Sequence, residues 1–222
     1  MEQSVGMLNR YVRQQDIVPR DKIEASNITI IGVGAVGRQV ALQLSAIGIK
    51  KMTLIDFDTV AEENLAPQGF LESDIGLPKV IAVSSLCRQI NGDAIISTRN
   101  DKFKGSDFEP CSVVFCCVDS IDTRKIIFNN IKNKCTLFID SRMSAESFKI
   151  FSVFDNKSRE FYPSTIFPEV EAFRGSCTAK STIYTASILA GMMISNFTKW
   201  LRNIPIEQSI SLNMLTNEMW CG

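Results

Sequence analysis

The stretch NITIIGVGAVGR (Asn27–Arg38) restricts this chain more than any other segment. A short β-branched run reads as a buried strand. Gly32, Gly34 and Gly37 follow in G-x-G-x-x-G spacing, and AVGRQVALQLSAIGI then carries apolar residues at helical intervals, ending near Gly48. A strand that feeds a helix through three glycines is a phosphate-binding βα turn. Gly32 allows the tight turn, Gly34 the approach of a phosphate, and Gly37 the packing of helix on strand. Backbone amides at that helix start attract phosphate. Asp56 ends the next apolar run, KMTLIDF, about 20 residues on, where a carboxylate accepts hydrogen bonds from ribose hydroxyls.

The remaining pattern alternates in the same way. Asp58–Pro78 reads as a long loop rich in Asn, Pro and Gly, and KVIAVSSLCRQI as a helix stopping at Asn91-Gly92. AIISTRN is a third strand, SVVFCCVD (112–119) a fourth, IDTRKIIFNNIKN a helix and CTLFIDSR a fifth strand. ESFKIFSVFD alternates and is expected to continue the sheet antiparallel. A loop with Pro163, Pro168 and Gly175 precedes a long helix near 179–202, and SISLNMLTNEMW closes as a strand or hairpin. Strands alternating with helices imply an α/β, Rossmann-like, mostly parallel sheet with helices on both faces, extended by antiparallel C-terminal strands. Residues 1–24 are polar with a weak helical pattern, and Pro19 with Asp21 and Lys22 points to a break before the domain proper.

The surroundings of the glycine loop favour a triphosphate over a dinucleotide. Asp58, Asn64 and Lys79 fall in one loop-to-helix segment beside it, and a lysine, an amide and extra carboxylates suit a triphosphate with Mg²⁺. Asp119 ends the fourth strand at the carboxyl edge of the sheet, where ligands bind in open α/β folds. Its bland alternative is the N-cap of the next helix.

Composition narrows the chemistry further. There are seven cysteines and no histidine, so a Ser-His-Asp triad, a Cys-His pair and a His-ligated zinc are excluded. No C-x-x-C pair occurs, and no zinc is expected. Lys plus Arg is 24 and Asp plus Glu is 24, so no global basic field exists for nucleic acid or an anionic membrane. The apolar stretch 181–197 is interrupted by Ser, Thr, Tyr and Asn and reads as a core helix. The N-terminus lacks the apolar core of a secretory signal, so a cytoplasmic location with reduced thiols is expected.

RYVRQ, IIGVGAVGRQVALQLSAIGI, LIDFDTVAEENLAPQ, GLPK, CCVDSIDTR and CTAKSTIYTASILAG occur here in the order of the ThiF/MoeB/HesA family, and the chain resembles that family from about residue 10 to 220. This is the adenylating domain of ubiquitin-activating enzymes. The resemblance implies Mg-ATP-dependent adenylation of the C-terminal glycine of a ubiquitin-like or sulfur-carrier protein, with release of pyrophosphate, by a homodimer. It implies that Gly32, Gly34 and Gly37 line the phosphates and Asp56 holds the ribose. Asn64 and Lys79 contact phosphate, and Asp119 binds magnesium. Arg13 matches an arginine that the partner subunit inserts into the site. Residues 1–24 become an arm contacting that partner, and 25–222 a single adenylation domain. Cys177 matches a cysteine that can accept the activated carrier. Charge chemistry of this kind needs cations and positioning rather than histidine.

Two departures stand out. The family pattern N-L-x-R-Q reads NLAPQ here, with Pro67 in the place of the arginine. That phosphate contact is either missing or falls to another cation, Arg38 or Lys102. The paired C-x-x-C motifs are absent as well. A non-catalytic partner subunit and an NAD-dependent oxidoreductase are the rival readings. Cys116 and Cys117 are expected to be core packing.

Overall fold

The computed structural model describes residues 10–105, 113–167 and 181–222. Helix α1 (Arg20–Ala25) leads into strand β1 (Asn27–Ile31), the glycine turn and helix α2 (Ala35–Ile47). Strand β2 (Lys51–Ile55) is followed by a segment that is not a plain loop. It folds into 3-10 turns at Glu62–Asn64 and Glu72–Asp74 around a one-turn helix α3 (Leu65–Gln68). Helix α4 (Lys79–Ile90), strand β3 (Ile95–Arg99), strand β4 (Val113–Cys116) and helix α5 (Ile121–Ile131) complete the first half. Strands β5 (Leu137–Ser144) and β6 (Ser147–Val153) follow, then helix α6 (Asn156–Phe161), where the sequence pattern predicts a loop. Its start is a local device: the Asp155 carboxylate accepts from the Ser158 N–H at 2.7 Å. Helix α7 (Ile183–Leu201) and the hairpin of β7 (Ser209–Asn213) and β8 (Glu218–Cys221) close the described chain.

Among the described residues one sheet holds eight strands in the order β3-β2-β1-β4-β5-β6-β7-β8. From β3 to β5 neighbours run parallel, and from β5 onward they run antiparallel. The expected architecture is thus present. The chain moves outward from β1 to β3 and then crosses to β4 on the other side of β1. The carboxyl ends of β1 and β4 are therefore the switch point, where the connections diverge and leave a crevice.

Both faces of the parallel strands are covered, which explains their continuous apolar runs. Side chains alternate with period two. Val113 and Phe115 join Val40, Leu44, Met193 and Phe197 in one core, under α2 and α7. Val114 and Cys116 join Ile127, Phe128, Phe138 and Tyr162 in the other, under α5. Phe115 and Phe197 meet edge-on at 5.9 Å, so α7 is a core helix seated on the sheet. Among the described residues no helix is long and apolar enough to cross a membrane.

The N-terminal residues also differ from the pattern reading. Pro19 starts α1 rather than marking a break, and Val18 and Ile23 are buried in the main core. A proline immediately before a first helical turn sacrifices no intrahelical hydrogen bond.

Candidate functional site

The glycine turn sits at the switch point, and its geometry explains two of its three glycines from within the chain. Gly32 has φ +84°, and a Cβ there would stand 2.7 Å from the carbonyl oxygen of Cys117 on the neighbouring strand's extension. A Cβ on Gly37 would overlap the carbonyl oxygen of Gly32, so the first turn of α2 lies directly on the end of β1. Gly34 is different: an added Cβ would meet only the Gln68 side chain, at 3.5 Å. No backbone atom crowds that position, so an open approach to the main chain is available to a ligand. Gly34 begins α2 with no side-chain cap, and the amides of the first helical turn face that approach.

Asp56 is tied to this turn. One carboxylate oxygen accepts from the Val33 N–H at 2.7 Å, and the other from the Asp58 N–H at 2.8 Å. Burial pushes its pKa up, while the bonds from Asp58 and Val33 and the nearby Lys79 pull it down. The end of β2 thereby fixes the shape of the loop after β1, and each oxygen retains a lone pair for a further donor.

Lys79 opens α4 and is 5% exposed. Its ammonium is held by the Asp58 carboxylate at 2.8 Å, and its own N–H donates to the Asp58 carbonyl at 2.9 Å. Asn64 accepts from the Ala61 N–H at 3.0 Å, closing its 3-10 turn and leaving its amide donors available. Lys102 is not buried; it lies over the exposed ring of Phe57, 5.2 Å from the centroid.

Asp119 is exposed, three residues past the end of β4. It is not the cap of α5. Ser120 takes that position, accepting from the Thr123 N–H at 3.2 Å. The Asp119 carboxylate is left without a hydrogen bond or ion pair among the described residues. Its main chain is held from below: Arg124 donates to the carbonyls of Val118 and Asp119, the latter at 3.0 Å, and to the carbonyl of Ser141 at 2.7 Å. Arg124 in turn bonds Asp140, which is fully buried and also receives Arg142 at 2.8 Å and the Tyr162 hydroxyl at 3.0 Å. Pattern reading assigned this network no role. Its signal was present as a charged residue, Asp140, inside the apolar run of β5, since a buried carboxylate requires partners.

Arg13 lies elsewhere. It is exposed in a 3-10 turn, and the neighbouring Gln14 donates to the Ile47 carbonyl at 3.3 Å, at the far end of α2 from the glycine turn. With 13 residues in α2, the two ends are about 20 Å apart. Cys177 lies outside the described residues. Cys116 is fully buried, and Cys117 sits beside the glycine turn, consistent with packing positions.

The family model described as "ThiF family" matches residues 8–220. This chain belongs to the ThiF family. Among curated relatives, the ubiquitin-like modifier-activating enzyme 5 of Drosophila persimilis is 28% identical over 216 residues, covering 86% of this chain and 56% of that protein. The molybdopterin-synthase adenylyltransferase of Haemophilus influenzae is 32% identical over 136 residues, covering 57% of this chain and 54% of that protein. This ThiF chain therefore spans about half the length of the curated relatives it matches. Its fold is also that of crystalline PaaA, with a TM-score of 0.78 at 18% identity over 98% of this chain and 73% of that one.

Proposed function

We propose that this ThiF-family chain is an adenylyltransferase that activates the C-terminal glycine carboxylate of a ubiquitin-like or sulfur-carrier protein with Mg-ATP. The observation that carries the reading is the convergence at one switch point of an open glycine turn, the half-buried Asp56 and the exposed Asp119. Two relatives whose names state modifier activation and adenylyl transfer support it.

The donor set fits the nucleotide and its metal. The amides of the first turn of α2 and the clear face of Gly34 suit phosphate. Asp56 suits ribose hydroxyls, and Asn64 and Lys79 lie on the following segment. Asp119 offers a hard carboxylate oxygen of the kind that holds magnesium beside substrate phosphates. Bound magnesium would neutralise phosphate charge. The chain's own part is positioning. Arg124 clamps the backbone on either side of Asp119, and Asp58 holds Lys79 against the end of β2. No side chain here is needed as a proton shuttle, in keeping with a sequence that lacks histidine.

Arg13 lies too far from its own chain's glycine turn to serve it, so we assign it to the site of a second copy in a homodimer. The proposed N-terminal arm, residues 1–24 by sequence, narrows to the part before Val18, since Val18 and Ile23 pack in the main core of their own chain. Cys177 is the candidate acceptor for the activated carrier, and a reducing cytoplasm is the expected setting.

Carrier-dependent ATP–pyrophosphate exchange tests the proposal. A ubiquitin-fold protein ending in Gly-Gly should support exchange, and the same protein lacking its last glycine should not. Asp119→Ala should abolish exchange; normal exchange in that variant overturns the assignment. Calorimetry showing no binding of Mg-ATP would instead identify a scaffolding partner subunit.

A further inference from the structure

Arg38 occupies the first turn of α2, where its N–H reaches the Gly34 carbonyl at 3.0 Å. It is only 6% exposed. Among the described residues its guanidinium makes no hydrogen bond and no ion pair. It rests against the ring of Phe70, 5.4 Å from the centroid, and against Gly69, where an added Cβ would stand 3.0 Å from Nη1. The nearby Asp74 carboxylate acts on Arg38 by charge alone and makes no ion pair with it; one of its oxygens accepts from the Leu71 N–H at 2.9 Å.

Arg38 is thus a mostly buried cation that lacks a protein acceptor among the described residues and keeps its donors open to the site, and arginine does not shed its proton in proteins. Arg124, which is more deeply buried, shows the ordinary arrangement: a carboxylate and three carbonyl oxygens satisfy it. Burial draws the Arg38 pKa below the usual guanidinium value, with Asp74 and Cys87 opposing it. A second polar atom in the same place is also unmet. Gln68 Oε1 is buried without a hydrogen-bond partner, beside Gly34. Its amide can be turned to present donors instead.

These groups surround one feature, the uncapped start of α2. A helical side chain leans toward the N-terminus of its helix, so Arg38 leans toward that start. Lys79, the other buried cation on this side, is already committed to Asp58. What would satisfy the helix amides, Arg38 and a turned Gln68 together is an anion with several acceptor oxygens.

We propose that Arg38 binds the polyphosphate of the nucleotide and makes this site favour a triphosphate over a monophosphate. The proposal rests on the nucleotide reading above and adds a residue to it.

Calorimetry with Mg-ATP and with AMP on the full chain provides the test. Arg38→Met keeps the apolar stem against Phe70 and removes the charge. It should weaken ATP by roughly tenfold or more, the loss of one charge-assisted contact, and leave AMP within about twofold. Equal weakening of both nucleotides would mark Arg38 as merely structural, and unchanged ATP binding would also overturn the proposal. Wild-type chain that binds neither nucleotide overturns the underlying reading instead. Should Arg38→Met fail to fold by circular dichroism, Arg38→Lys takes its place. A point charge lacks the guanidinium fork, so ATP should again weaken selectively; equal ATP affinity in that variant counts against the proposal.

Discussion

Arg124 Nε donates to Asp140 Oδ1 at 2.8 Å, with the two side chains 4% and 0% exposed. The contact joins α5 to the middle of β5 and leaves the rest of the guanidinium to hold the carbonyls on either side of Asp119. Removing the carboxylate charge strands two cations, because Arg142 shares the same group. Breaking a buried pair from one side typically costs about 3–5 kcal/mol. Asp140→Asn should lose stability of that order in urea unfolding. A loss under about 1 kcal/mol would mean that the network is solvated and weak.

The three glycines of the turn separate into structural and ligand-facing positions. Gly37→Ala drives a methyl group into the Gly32 carbonyl, which is backbone and cannot rotate away. It should destabilise the fold by about 2–3 kcal/mol, an overpacking effect. Gly34→Ala meets only the Gln68 side chain, at 3.5 Å. Its stability should fall by less than that of Gly37→Ala, while Mg-ATP affinity falls. Thermal unfolding and calorimetry on both variants distinguish the two roles, and a reversed pattern would contradict them.

The thiols should respond to pH according to burial. Burial pushes the Cys116 pKa well above its ordinary value and the Cys117 pKa up to about 12, with the Ser141 hydroxyl opposing the latter shift. Both should resist iodoacetamide near pH 8, while the exposed Cys221 reacts; peptide mapping by mass spectrometry reads this directly. The folded chain holds these thiol protons more tightly than the unfolded chain. Their contribution is therefore complete below the unfolded thiol value of about 8.5 and is lost as pH rises toward the folded value. The urea midpoint should fall across that alkaline window, and Cys117→Ala should reduce the fall.

Much of the architecture was legible because its causes are local. Residues Asn27–Gly48 announce strand, turn and helix by β-branching, glycine spacing and helical periodicity, and α4 runs from Lys79 to Ile90 as the pattern reads. The segment after Asp58 was less legible: its 3-10 turns depend on single side-chain bonds, such as Asn64 to Ala61, rather than on periodicity. Helix α6 was missed for the same reason, since one Asp155–Ser158 cap decides it.

The sequence by itself determined that this chain builds a parallel βαβ core with a glycine turn at the first strand end and an acidic end to the fourth strand. Those features follow from residue type and spacing along a few turns of chain. Only the tertiary structure decided how the charges are used. Ser120 rather than Asp119 caps α5, and Lys79 is paired with Asp58 while Arg38, beside Gly69 and Phe70, has no hydrogen-bond or ion-pair partner for its side chain among the described residues. Arg13 stands at the end of α2 opposite the glycine turn. Each of these outcomes depends on which distant segments the sheet order brings together, and desolvation and pairing have no value until that assembly exists.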